Sequence, residues 1–201
     1  MTHLLLIRHG ETDWNVEGRY QGQADPPLNE RGLAQARTLV ERLKREGVHP
    51  AAIYSSPLRR AWQTAQIIAE AVGAPLFAEP RLKEICLGEW EGVLTPEIMR
   101  RWPETFRDWE ERSWETRPPG GETIAEVQKR VYAAVDDILA RHPNDTVAIV
   151  AHRLPLALLK IRYQGYDPAE VRRIPIPNAE AEEIVISGGR RQSLVVGSVG
   201  R

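Results

Sequence analysis

An arginine and a histidine stand side by side, Arg8 and His9, at the end of the apolar run 4–7 (LLLI). Gly10, Glu11, Thr12, Asp13 and Asn15 then crowd polar groups into a few positions. A second apolar run, 147–150, ends at Ala151-His152. A third, 51–55, passes through Ser55-Ser56-Pro57 into Leu58-Arg59-Arg60. Imidazole is a competent nucleophile near neutral pH, because its ordinary pKa is about 6.5. Guanidinium is a planar fork suited to phosphate or carboxylate oxygens. Brought to one place, Arg8, His9, Arg59 and His152 would form an oxyanion site with a nucleophile beside it.

That meeting requires neighbouring strands. The apolar runs read as strands buried on both faces. Asn29 is placed to cap a helix to about Arg45, with Leu33, Ala36, Leu39, Val40 and Leu43 on one face and Gly47 beyond its end. A second helix is expected over 58–72, with Ala61, Ala65, Ile68 and Ala69 inward, then a short strand at 76–78. T-I-A-E at 123–126 is a capping box opening a helix to about Arg141. Residues 156–163 continue as a helix after the 147–150 strand, and 182–186 and 194–199 read as closing strands. This alternation predicts a three-layer α/β/α sandwich with a mostly parallel sheet, as one domain over residues 1–201. In such sheets ligands bind beyond the carboxyl ends of the strands, where both histidines fall. The Arg59 position at a helix start adds free N–H groups and a favourable dipole for an anion. The stretch 93–121, with Trp102, Phe106, Trp109, Trp114 and a Pro-Pro-Gly-Gly end, reads as a helical lid excursion beside those strand ends. Its aromatic side chains either line an apolar or sugar-stacking pocket or pack the lid onto the sheet.

Bulk properties narrow the partners. The 201 residues carry a formal charge of −1, with a pI near 6.5 and 42% hydrophobic residues. That balance argues against nucleic acid or an anionic membrane as partner. No apolar segment reaches the roughly 18 residues that span a bilayer. Cys86 is the single cysteine, which fits a reducing compartment, and a cytoplasmic location is expected. The histidines at 3, 9, 49, 142 and 152 show no metal-ligand spacing, and two arginines beside a metal would repel it, so no cofactor is expected. No G-x-S-x-G supports a serine nucleophile.

With these residues in view, the chain resembles the histidine phosphatase superfamily in its phosphoglycerate-mutase-like branch. The resemblance is carried in order by LIRHGETDWN, YSSPLRRAWQTAQII, LKEICLGEWEG, PGGET and AIVAH. It implies that His9 attacks phosphorus and that Arg8, Arg59 and His152 surround the phosphate oxygens. Asn15 would add a hydrogen bond there, Gln21 and Gly22 would lie on the substrate side, and Glu84 would protonate the leaving oxygen. Mutases of the branch typically carry Glu-Arg-His-Tyr-Gly in the third block, whereas this chain has Glu84-Ile85-Cys86-Leu87-Gly88. That form resembles the phosphatase members, which implies a metal-independent phosphatase of small phosphorylated metabolites acting through a phosphohistidine. A cofactor-dependent mutase and a non-catalytic phosphate-binding relative are the alternatives. Arg153 stands where the commonest family pattern has glycine. It either adds a cation near the phosphate or, the reading favoured here, points outward from the next helix. An edge strand near the C-terminus leaves a homodimer open.

Overall fold

A computed structural model describes residues 1–186. The chain begins with β1 (Thr2–Arg8), the short α1 (Asp13–Glu17) and α2 (Glu30–Arg45). β2 (Ala52–Ser55), α3 (Arg59–Val72) and β3 (Leu76–Ala78) follow. Then come α4 (Thr95–Arg101), α5 (Pro103–Glu111), α6 (Ile124–Arg141), β4 (Thr146–Ala151), α7 (Arg153–Gln164) and β5 (Ala181–Ile186). The sheet order is β3-β2-β4-β1-β5. The first four of these strands run parallel and β5 runs antiparallel to β1, so the sheet is mostly parallel as expected. The closing strand expected at 194–199 lies outside the described residues.

Period-two alternation divides the strand side chains between two layers. Leu4, Leu6, Tyr54, Val147 and Ile149 join the core that holds Val127, Val131 and Ile138 of α6 and Leu158 of α7. Leu5, Ile7, Ile53, Ala148 and Val150 join the opposite core with Leu39 and Leu43 of α2 and Ile68 of α3. The sheet is therefore buried on both faces, which is why its strands read as unbroken apolar runs.

The helices start where their caps stand. The Asn29 side chain accepts the Gly32 N–H, and Thr123 and Glu126 close their box on α6. One residue of the expected α2 face is displaced: Gly32 is buried and Leu33 only half-buried. The loop after β1 crosses this turn so closely that a Cβ on Gly32 would lie 2.1 Å from the Glu11 carbonyl oxygen. A Cβ on Gly10 would in turn lie 2.5 Å from the Gly32 carbonyl oxygen. The two glycines thus let α2 press directly on the backbone that carries His9.

Residues 93–121 hold α4 and α5, and these helices are packed rather than free. Trp90 is fully buried and meets the rings of Trp102, Phe106 and Trp109 at 6.5, 6.0 and 6.0 Å. Ile98 beneath them is buried as well. No helix among the described residues is long and apolar enough to cross a membrane.

Because the colliding atoms at Gly32 are backbone, they cannot swing aside. Gly32→Ala is expected to cost about 1–3 kcal/mol of stability, read from urea unfolding, and to lower activity in parallel by shifting the His9 loop.

Candidate active site

Register places the two histidines together. In the β1–β4 ladder Arg8 stands opposite Ala151, so the next residues, His9 and His152, leave the sheet side by side. The His9 N–H still donates to the Ala151 carbonyl, at 3.1 Å. The ring centroids are 5.2 Å apart. β2 ends on the other side of β4, and the Ser56 N–H donates to the Val150 carbonyl. Ser56 therefore arrives beside His152, and its Oγ lies 2.7 Å from His152 Nε2.

Each ring is oriented by its neighbours. His9 Nδ1 lies 2.7 Å from the Gly10 carbonyl oxygen, which can only accept. Nδ1 must then carry the proton, leaving Nε2 with its lone pair free. At His152 the Ser56 hydroxyl already accepts the Leu58 N–H at 3.3 Å. Its own proton has a buried acceptor in Nε2, which makes His152 an Nδ1–H donor. That nitrogen is buried with no protein partner among the described residues. Burial, and then the Arg60 and Arg8 charges, hold His9 well below its ordinary pKa. His152 is held down by burial, then by Arg60, His9 and Arg8. Both rings are neutral at neutral pH.

The cations around them differ from the expected set. Arg8, the last residue of β1, lines the same cavity as His9, a space of about 320 Å³. Its Nη1 donates to the Ile176 carbonyl at 2.8 Å, and its Nε is buried without a partner among the described residues. Arg59, expected as the second fork, is exposed, and what it contributes inward is a backbone N–H donated to Asp25. Arg60 occupies the site in its place. One residue along a helix is a turn of about 100°, which sends Arg59 to solvent and Arg60 inward. Arg60 is 1% exposed, and its two Nη atoms donate to the Gly22 and Ala24 carbonyls, each at 2.7 Å. Its Nε has no partner among the described residues. Burial pushes the pKa of both Arg8 and Arg60 down to about 10, so both stay charged at neutral pH.

Glu84, Gln21 and Gly22 line the cavity. The Glu84 carboxylate accepts the Ile85 N–H at 2.9 Å and, at 3.4 Å, the Leu154 N–H from the first turn of α7. Its backbone is clamped from α6. Arg130 donates to the carbonyls of Arg81, Lys83 and Glu84 and pairs with Glu122, whose Oε2 accepts the Cys86 N–H. The Pro-Gly-Gly segment packs on the same loop, and a Cβ on Gly121 would lie 2.4 Å from the Cys86 carbonyl oxygen. The GEWEG and PGGET motifs are thus two sides of one backbone contact that holds Glu84.

Asn15 does not line the cavity. Its Oδ1 accepts the Thr12 N–H and hydroxyl in the capping box that opens α1, so its oxygen is committed to building the loop. Arg153 also departs from the favoured reading: it points inward and lines the cavity with Tyr20, Trp109 and Arg172. α7 begins at Arg153, three residues earlier than expected, with His152 as its N-cap, and this turns residue 153 toward the strand ends. The signal for Arg60 and Arg153 was present in the sequence only as helix phase. Among the described residues no three metal-ligating side chains cluster.

Residues 4–198 match the histidine phosphatase superfamily (branch 1), and the chain belongs to that family. It is 43% identical to phosphoserine phosphatase 1 of Hydrogenobacter thermophilus, over 83% of this chain and 78% of that protein. It is 35% identical to a probable phosphoglycerate mutase of Yersinia pestis, over 92% of this chain and 85% of that one. The solved structure of Bacillus stearothermophilus YhfR superposes with a TM-score of 0.90 at 37% identity, covering 100% of this chain and 98% of that chain. Within the family the chain is a phosphoric monoester hydrolase for small metabolites.

Two outcomes follow. Arg60→Ala should lower kcat/KM for an aryl phosphate by roughly 10²–10³, the scale of one lost electrostatic contact to a transition state, while Arg59→Ala stays within about twofold. The second concerns pH. Both buried rings bind protons less readily folded than unfolded, so the unfolded chain takes up more protons as pH falls below about 6.5. Stability should therefore be full above pH 6.5 and drop by about 1 kcal/mol per ring between pH 6.5 and 5.5 in urea unfolding. His9→Gln should flatten that slope.

Proposed function

We propose that the protein hydrolyses phosphomonoesters of small metabolites through a phosphohistidine on His9, with no metal. The observation that carries this is the His9 ring itself: neutral, buried, its Nδ1 locked on the Gly10 carbonyl and its Nε2 free beside the unpartnered donors of Arg8 and Arg60. Phosphoryl transfer needs positioning and spread positive charge more than covalent help. The two guanidiniums and the His152 Nδ1–H would supply donors to the equatorial oxygens.

In the first step His9 Nε2 bonds to phosphorus as the ester P–O bond breaks. The Glu84 carboxyl gives its proton to the leaving oxygen. The charge that the ring gains is met by the Gly10 carbonyl on Nδ1. In the second step water attacks phosphorus, its proton returns to the Glu84 carboxylate, and the P–N bond breaks to release inorganic phosphate. Asn15 would act through the loop it caps, and Gln21 and Gly22 would shape the substrate side.

A mutase would have to protect the phosphohistidine from water and hold a second acceptor. The third block places the aliphatic Ile85 on the cavity wall rather than a charged group, which favours transfer to water.

His9→Ala should reduce phosphate release from an aryl phosphate by at least about a thousandfold with circular dichroism unchanged. Acid-sensitive, alkali-stable phosphate should be found on His9 by mass spectrometry of wild-type protein quenched during turnover. Retained activity in the variant, or a label on another residue, would remove the nucleophile assignment.

A further inference from the structure

Arg153 is a half-buried cation that the phosphohydrolase chemistry above does not use. It stands at the first position of α7 and lines the cavity with His9, Arg8 and Arg60. One of its Nη atoms donates to the Arg172 carbonyl. Its other guanidinium donors have no partner among the described residues, and no carboxylate there lies within ion-pair distance of it. The contrast with the other cations of the same cavity is direct. Arg172 is paired with Glu110, and Arg19 with Glu17. Arg8 and Arg60 are the tethered forks beside the nucleophile. Arg153 is thus left over, charged and half-buried, on the cavity wall near Glu84.

The wall around it is mixed. Tyr20 and Trp109 offer ring surface, and Ile85 and Leu87 are aliphatic. Glu84 is close enough to favour the charged form of Arg153, while the Arg172 charge opposes it. A guanidinium held among apolar groups, with donors to spare, fits an anion better than a neutral group. Because Arg153 follows His152 directly and flanks the Glu84 carboxylate, such an anion would belong to the leaving group rather than to the transferred phosphoryl group.

We infer that Arg153 forms a second anion subsite, so that the preferred substrates are phosphomonoesters bearing a carboxylate on the alcohol portion. This rests on the phosphatase reading and adds the class of substrate to it.

The test uses two esters that differ by one carboxylate, O-phosphoserine and O-phosphoethanolamine, with the full-length protein. Wild-type protein should favour the carboxylated ester in kcat/KM. Arg153→Met should reduce that ratio by at least about tenfold, the scale of a charge-assisted hydrogen bond, mainly through KM for O-phosphoserine. Arg153→Lys should restore part of it. Any effect of the substitution on Glu84 or on folding acts on both esters and cancels in the ratio. No preference in wild-type protein, or a ratio unchanged in Arg153→Met, overturns the subsite. Failure of the phosphatase reading is separate, since then neither these esters nor an aryl phosphate would release phosphate.

Discussion

Everything at this site depends on positive charge buried without a matching carboxylate. Arg8 and Arg60 are held by backbone carbonyls, which orient a guanidinium without neutralising it. A carboxylate partner would stabilise each more strongly and would occupy the forks a phosphate needs. Carbonyls leave the charge available at some cost to the fold, since a buried ion without its counter-ion is desolvated with incomplete return. The same burial lowers the basicity of both arginines to a pKa of about 10 and stops short of deprotonating them at neutral pH. Burial, and then the same cationic field, keep the two imidazoles neutral. One arrangement therefore prepares both the receptor for the phosphate and the lone pair that would attack it.

The rest of the molecule serves to fix that arrangement with backbone. A parallel ladder delivers His9 and His152 from adjacent strands in register, and the next strand delivers Ser56. Close packing of Gly10 on Gly32 removes slack from the loop that carries His9. On the opposite wall Arg130 gathers the carbonyl groups of Arg81, Lys83 and Glu84. These contacts are made by backbone and by buried or part-buried side chains, so the geometry is set by packed elements rather than by free surface loops.

The layer architecture was legible because strands buried on both faces leave unbroken apolar runs, and because caps such as Asn29 and Thr123 announce helices locally. The pairing of His9 with His152 followed from the same reasoning, since strand ends in a parallel sheet share one edge. What could not be read was rotation about a helix axis. Arg59 and Arg60 are equivalent in composition, and only the packing of Ala61, Ala65 and Ile68 against the sheet decides which one turns inward. Arg153 was misjudged for a related reason: α7 begins directly after His152, earlier than its apolar pattern suggests, and that start sets its direction. Asn15 shows a different limit. A residue beside a site and a residue that shapes the loop around it carry the same sequence signal.

The electrostatics also narrow the source of the proton that the leaving oxygen requires. Burial and the neighbouring cations leave His9 and His152 deprotonated at one nitrogen each, so neither has a spare proton to give. Arginines at a pKa of about 10 are poor acids at neutral pH. Tyr20 is pushed upward, chiefly by burial, and holds its proton more firmly than a free phenol. Among the residues lining the cavity Glu84 is the one carboxyl group. It is reached by backbone N–H groups from Ile85 and Leu154 rather than by an arginine fork, so it is positioned without being locked as an ion pair. A group held in that way can cycle between acid and base within one turnover, which is what the two halves of a hydrolysis through an enzyme-bound phosphoryl group demand.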